Sequence, residues 1–292
     1  MSTKFALATL RTSNGYRAAM QVAGKFYKLG NTGNGQDYPA DTTMMDLLQD
    51  WPTAMPRLSS IASGIEHNKG TTAAVDLAAA GVSTDTPIRF PRKLICVGAN
   101  YGGHLREMGL PAEKMMPMPY FLRPPTTSLV GPGQTVRKPR MTKEFDWEIE
   151  VVIVLGRPLR NCETLEEAAD AIAGYTVGLD LSCRDLQTAK DIGMDVGRGK
   201  AQDTLAPCGP VMVPKQSLPD GIGDLSLKLW VNGEQMVDGS TKDMLYSPEE
   251  QLQELSKFMT LERVTWWLQI GDRVTAEIES IGVLEVVIRE DD

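Results

Sequence analysis

Apolar positions along this chain alternate with period two more often than they recur with the 3.6-residue period of a helix. Tyr16–Val22 and Lys25–Leu29 flank Ala23-Gly24 and predict a hairpin. A Gly/Asn/Asp-rich loop follows from Gly30 to Asp37, then helical patterns at Thr43–Asp50 and Thr72–Ala80. The polar, turn-rich run Gly81–Pro87 marks a boundary. Beyond it, Lys93–Val97 reads as a buried strand ending at Gly98, and Phe145–Leu155 as one long strand. Thr164-Leu-Glu-Glu167 predicts a capping box, with a helix to about Ala173 stopped by Gly174. Ser247-Pro-Glu-Glu250 places an N-cap, a first-turn proline and an N3 glutamate before a helix to about Met259. Ala173–Leu181, Leu225–Val231, Asp272–Ile278 and Val283–Ile288 complete the strands.

Strands dominate and no regular βαβ alternation appears, which disfavours doubly wound and (β/α)8 architectures. The pattern predicts an α+β protein with two parts: a small N-terminal domain over residues 1–88 and a larger domain over 89–292.

Composition narrows the chemistry. With a net charge of −8, a pI near 5.0 and no basic block, the chain offers no nucleic-acid surface. No apolar run approaches the roughly 20 residues that span a bilayer, and the N-terminus lacks signal-peptide architecture. A cytoplasmic protein without a membrane partner is expected. The 4 cysteines form no CxxC pair and there are only 2 histidines, His67 and His104, so a metal would be held mainly by oxygen. Oxygen ligation suits Mg2+ or Mn2+, with Ca2+ possible.

Carboxylates that could supply such oxygens lie in Phe145–Leu155. Alternation puts Phe145, Trp147, Ile149, Val151, Ile153 and Leu155 on one face, with Asp146, Glu148, Glu150, Val152 and Val154 on the other. Residues two apart on a strand sit roughly 6–7 Å apart, within reach of one cation. A solvent-facing acidic edge would show the same residues, but Val152 and Val154 on that face call for burial. Asp180 is the candidate third ligand, opposite the apolar Tyr175, Val177, Leu179 and Leu181; the alternative is a turn-forming aspartate. Arg184 and Gln187 share a face if a helix starts near Ser182, as they would on a solvated helix. His104 and Glu107 follow a Gly-rich turn three residues apart, either a base with its orienting carboxylate or a chance surface pair. Lys200 stands in Gly197-Arg-Gly-Lys200, whose spacing does not fit a nucleotide-binding loop.

In order, Gly98-Ala-Asn-Tyr-Gly-Gly-His104 with Glu107, Asp146-Trp-Glu-Ile-Glu150, and Gly174-Tyr-Thr-Val-Gly-Leu-Asp180 with Arg184 and Gln187 resemble the fumarylacetoacetate hydrolase family. Gly199-Lys200 with Pro207–Pro210, Val231–Glu234 and Thr241–Leu245 extend the likeness, which covers about Arg92 to Asp292 and is nearest the acylpyruvase and oxaloacetate decarboxylase-like branch.

The resemblance implies a mixed β-roll catalytic domain, usually homodimeric, behind a variable N-terminal domain. It implies a divalent metal on Glu148, Glu150 and Asp180, a base at His104 partnered by Glu107, and a substrate site at Arg184, Gln187 and Lys200. The activity implied is metal-dependent C–C hydrolysis of a small 2,4-diketo acid through an enolate. The alternatives are a decarboxylase or isomerase of a 2-oxo acid, or a metal-binding paralogue without catalysis. Two departures stand out. Arg123 replaces the usual Lys, and the run Arg263–Leu268 lacks the Thr/Gly-rich substrate loop, so the pocket wall there is expected to be interrupted or rebuilt.

Overall fold

The computed structural model describes residues 3–30, 38–67, 73–78, 81–107, 109–191, 193–262 and 273–291, without the side chains of His104, Glu107 and Arg273. The break expected at Arg263–Leu268 lies outside the described residues.

Strands β1 (Ala6–Thr12), β2 (Gly15–Val22) and β3 (Lys25–Lys28) form an antiparallel meander. The β2–β3 turn falls at Ala23-Gly24 as expected, both residues at positive φ (48° and 76°), which matches the twist of a two-residue hairpin. Helix α1 (Met44–Gln49) opens on a reciprocal box between Thr43 and Asp46. Helix α2 (Trp51–Glu66) was not expected from the sequence; Pro56 lies inside it, yet Trp51, Ala54, Met55, Leu58, Ile61 and Ala62 form one buried stripe. The helix expected at Thr72–Ala80 does not form over 73–78. There the Val75 N–H donates to the Phe26 carbonyl at 2.7 Å, so the chain runs along β3 instead.

Strand β4 (Ser83–Asp85) joins β1, and β5 (Leu94–Val97) leads to helix α3 (Gly102–Glu107). Next come β6 (Tyr120–Arg123), β7 (Leu129–Val130), β8 (Thr135–Lys138), β9 (Phe145–Asp146) and β10 (Ile149–Leu155). Phe145–Leu155 is thus two strands rather than one: β9 and β10 face different partners and leave Trp147-Glu148 between them. Helix α4 (Leu165–Ala171) is capped by the Thr164 side chain and passes directly into β11 (Ile172–Leu179). Gly174 therefore lies inside a strand and does not stop the helix. Its role is close approach, because a Cβ there would lie 2.3 Å from the Val213 carbonyl oxygen.

Two-residue strands β12 (Ser182–Cys183), β13 (Thr188–Ala189) and β14 (Gly193–Met194) precede helix α5 (Val196–Lys200) and β15 (Ala206–Pro214). Strands β16 (Ser226–Val231) and β17 (Glu234–Ser240) lead to helix α6 (Pro248–Phe258), with the reciprocal Ser247–Glu250 box its sequence predicts. Strands β18 (Arg273–Ile278) and β19 (Gly282–Glu290) close the chain.

The result is mixed α+β, mostly sheet, without a closed barrel. One sheet runs β10-β11-β15-β1-β2-β3, with β4 on β1 and β7 on β15; a second runs β17-β16-β18-β19-β8. They pack through β11 and β15 against β18 and β19, burying Val177, Met212, Val274 and Leu284. Leu7 of β1 pairs with Met212 of β15, so the N-terminal meander extends the sheet that carries the acidic strand.

Gly174→Ala should force the β11–β15 backbones apart and cost about 1–3 kcal/mol, the usual penalty for overpacking a core. Urea unfolding measures it, with Gly223→Ala, where nothing lies within 4 Å, as the near-neutral control.

Candidate active site

The acidic residues gather where two adjacent strand pairs are interrupted at the same level. Glu150 of β10 lies opposite Gly178 of β11, and Asp146 of β9 opposite Ser182 of β12. Between these pairings, Glu148 faces Asp180 across a stretched backbone contact of 3.4 Å. Absence of a side chain at Gly178 leaves room on the face that Glu150 shares. The register nonetheless continues through them: Asp146–Ser182, Glu148–Asp180 and Glu150–Gly178 are successive opposed pairs, which puts Asp146, Glu148, Glu150 and Asp180 on one face.

Three cations meet these carboxylates. Lys200, 5% exposed at the end of α5, places Nζ 2.7 Å from Asp180 Oδ2 and 3.7 Å from Glu148 Oε2. Arg123, buried at the end of β6, pairs with Asp180 Oδ1 and donates to the carbonyls of Leu181 (2.9 Å) and Leu205 (3.2 Å). Arg184, in a 3-10 turn, donates to Asp146 Oδ2 at 2.6 Å and to Glu148 Oε1. That turn is fixed by Asp185, which accepts from the Thr142 hydroxyl (2.6 Å) and the Lys143 N–H (2.8 Å). Gly199 lets α5 seat against the turn: a Cβ would lie 2.1 Å from Gln187 Cγ. Gln187 is half-buried there, its amide nitrogen enclosed without a hydrogen-bond partner.

Burial sets the charges. It pushes the Glu150 carboxyl up to about 8, helped by Glu148 and opposed by Lys200, so Glu150 is mostly protonated at neutral pH. Burial lowers the Lys200 ammonium to about 8 against the pull of Glu148, and the Arg123 guanidinium to about 10. For Arg184 burial works downward too, but Glu148 and Asp146 more than offset it and leave the group raised. The Tyr101 phenol rises well above its ordinary value through burial, then through Glu150 and Asp243. With Glu150 neutral, Arg123, Arg184 and Lys200 balance Asp146, Glu148 and Asp180.

Five of the six candidates with described side chains cluster directly: Glu148, Glu150, Asp180, Arg184 and Lys200, with Gln187 packed beside them. Ser182 does not start a helix; it lies in β12, and Arg184 and Gln187 come together through the 3-10 turn. His104 and Glu107 lie on α3 as the Gly-rich turn predicts, but their side chains are outside the described set. His67 ends α2 at the exposed surface. Sequence reasoning missed Asp146 and Arg123 as ion-pair partners and Tyr101 as the neighbour of Glu150. Alternation already put Asp146 on the acidic face, and Arg123 stood out as a departure.

Among the described residues, no three His, Cys, Asp or Glu side chains are close enough together to hold one ion as placed. As placed, Lys200 and Arg123 stand against the Asp180 oxygens, and Lys200 and Arg184 against those of Glu148. The donors nevertheless suit a hard divalent ion: all are carboxylates, Asp180 buried and Glu148 and Glu150 half-buried, with a cation already between two of them.

An α+β scaffold carrying a buried carboxylate pocket crossed by one lysine defines a class of small-molecule enzyme site. The chain belongs to the fumarylacetoacetate hydrolase family: residues 93–289 match that family's fumarylacetoacetate (FAA) hydrolase C-terminal domain. It is 32% identical over 268 residues to the mitochondrial oxaloacetate tautomerase of Xenopus laevis, covering 86% of this chain and 80% of that protein. The crystal structure of fumarylpyruvate hydrolase from Pseudomonas aeruginosa, in complex with Mn2+ and pyruvate, superposes with a TM-score of 0.63 at 28% identity, covering 72% and 92% of the two chains. Fumarylacetoacetate hydrolase from Exiguobacterium antarcticum gives a TM-score of 0.74 at 25% identity over 99% of this chain and 100% of that one. Among the described residues, no helix is long and apolar enough to cross a membrane.

A carboxyl whose folded pKa exceeds its unfolded value stabilises the fold below the unfolded value, and that contribution is lost as pH rises through the folded one. For Glu150 this window runs from about 4.5 to about 8. Chelator-treated protein should therefore lose stability on the order of a few kcal/mol between pH 5 and 8. Glu150→Gln should flatten that loss and be the more stable protein at pH 8, as read by urea unfolding at each pH.

Proposed function

We propose that this protein is a divalent-metal-dependent enzyme that enolises a small 2-oxo acid, with keto–enol tautomerisation of an oxaloacetate-like dicarboxylate as its reaction. One observation carries the reading: Glu148, Glu150 and Asp180 share a buried pocket with Lys200, beside Arg184 and Gln187. Glu148, Glu150 and Asp180 would hold Mg2+ or Mn2+. The ion, when bound, supplies a Lewis acid that polarises a 2-oxo acid and makes its C3 proton easier to remove.

The chain's own residues do the rest. Arg184 offers a planar fork for a substrate carboxylate, and the unpartnered Gln187 amide offers a further donor. Lys200, whose ammonium stands beside Asp180 and Glu148, would supply positive charge to the substrate oxygen that gains charge. His104, oriented by Glu107, takes the proton from carbon and returns it to the other face or atom.

C–C hydrolysis of an acylpyruvate is the second reading, since it needs the same proton-labile 2-oxo acid plus an activated water. The Pseudomonas neighbour, a fumarylpyruvate hydrolase with Mn2+ and pyruvate, favours it. Decarboxylation of the same substrates is the third outcome of one test. The homodimeric assembly the resemblance implies is proposed alongside, with residues 1–88 as a small N-terminal part whose β1 continues the sheet of the larger one. Four free cysteines, all buried, support a reducing compartment such as the cytoplasm.

Turnover of oxaloacetate, an acylpyruvate and a 2-oxoheptenedioate, with and without Mg2+ or Mn2+, separates these readings. Enol formation from oxaloacetate should be the fastest and should vanish with chelator. Activity on none of the three would sink the proposal and favour a metal-binding paralogue without catalysis. Glu148→Gln should abolish Mn2+ binding by calorimetry while the fold survives. His104→Ala should lower kcat by about 10²–10⁴ and leave Mn2+ affinity intact.

A further inference from the structure

Helix α3 carries His104 and Glu107, yet nothing in its own sequence would hold it folded. It has six residues and begins Gly102-Gly103. Isolated helices this short do not persist in water, and glycine is a poor helix former. Its stability must come from elsewhere.

The surrounding contacts converge on one segment. The Leu245 N–H donates to the Asn100 carbonyl at 2.8 Å. Asn100 in turn accepts from the Tyr246 N–H at 2.7 Å and donates to the Tyr246 carbonyl at 3.2 Å. Tyr101 bridges to Met244. Beyond the helix, the Tyr246 hydroxyl donates to the Met115 carbonyl at 2.6 Å, and Lys114 pairs with Glu250 at 2.5 Å. Both ends of the stretch that contains α3 are therefore fastened to residues 244–250.

Within the helix, one side chain reaches the backbone. Asp243 Oδ2 accepts the Gly103 N–H, and Oδ1 lies 3.5 Å from Arg106 Nη2. The first N–H groups of a helix have no partner inside it, and a carboxylate there also meets the positive end of the dipole. Such caps normally come from the residue just before the helix. Here the cap arrives from 140 positions along the chain. The paired glycines permit it, because a Cβ at Gly102 or Gly103 would lie 3.1 or 3.0 Å from the Asp243 oxygens.

We propose that Asp243 is a positioning residue that holds α3, and through it His104, over the carboxylate pocket. The proposal rests on the reading of His104 as the base. Asp243 touches no reacting atom; its effect is on the fraction of molecules in which His104 is in place. Tyr101, one residue before the helix, has its phenol buried beside Glu150, so displacement of α3 also disturbs the pocket wall.

The test uses the full chain, loaded with Mn2+ and assayed on oxaloacetate. Asp243→Ala should raise amide exchange at residues 101–107 and lower kcat roughly tenfold, the scale of one lost cap. KM and Mn2+ affinity by calorimetry should change little. Asp243→Asn keeps an oxygen for the Gly103 N–H and should recover most of both effects, which also answers any failure of the alanine variant to fold. In a His104→Ala background, Asp243→Ala should cause no further loss of turnover. Multiplied losses in that background, or unchanged exchange at 101–107 in Asp243→Ala, would overturn the proposal while leaving His104 as the base. A fully active His104→Ala variant would overturn the reading of the base, and with it the catalytic consequence drawn for Asp243.

Discussion

The architecture around the pocket depends on the burial of Asp180 between Arg123 and Lys200. An isolated carboxylate in a protein interior is strongly disfavoured, and removing one member of a buried pair typically costs about 3–5 kcal/mol. Asp180 is 2% exposed, so its two oxygens need two donors, and the chain brings them from opposite directions. Arg123 arrives on β6 with both terminal nitrogens also donating to backbone, to the Leu205 and Leu181 carbonyls, which locks it. Lys200 arrives on a five-residue helix that can lie so close only because Gly199 has no side chain. The second carboxylate, Glu148, shares Lys200 and is closed on its other side by Arg184. Each of these cations is held by a different element, so the pocket also ties the acidic strands to β6, α5 and the 3-10 turn.

The strand at Phe145–Leu155 is weakest where it carries these charges: between β9 and β10 the pairing thins to one 3.4 Å backbone contact, from Asp180 to Glu148, the two residues that meet Lys200. Period-two alternation in the sequence correctly grouped Asp146, Glu148 and Glu150, but it carries no information about where a ladder is interrupted. The same limit applies at Gly174, which looks like a helix stop in sequence. Its function is contact with the Val213 carbonyl on a strand some forty residues away, and no local pattern reports such a contact.

Elements with local causes were legible. The Ser247 cap, the Ala23-Gly24 turn and strands β16, β18 and β19 of the second sheet all follow from side chains within a few positions, whereas β8 and β17 of that sheet were not expected. Helix α2 was not expected although its buried stripe is regular; of its prolines, Pro52 falls in the first turn, where proline is tolerated, and Pro56 lies inside the helix. At the pocket, carboxylates were legible and their counter-ions less so. Arg123 appears in sequence only as a substitution for lysine, yet the guanidinium makes three separate contacts that an ammonium could not spread over the same geometry. Which cation faces which carboxylate is a property of non-local packing.

The pocket also joins two kinds of structure that differ in how they are held. Its floor consists of strands whose hydrogen bonds run through the core, and those open only with the fold. Next to it, α3 is a six-residue helix with a Gly-Gly start, fastened by a few side-chain and turn contacts to residues 243–250. The two are joined at Tyr101, whose phenol packs beside Glu150, so the way α3 is held bears on the floor as well. The side chain that reaches the first turn of α3 among the described residues is Asp243, whose carboxylate accepts the Gly103 N–H and ties the helix to a segment 140 positions away.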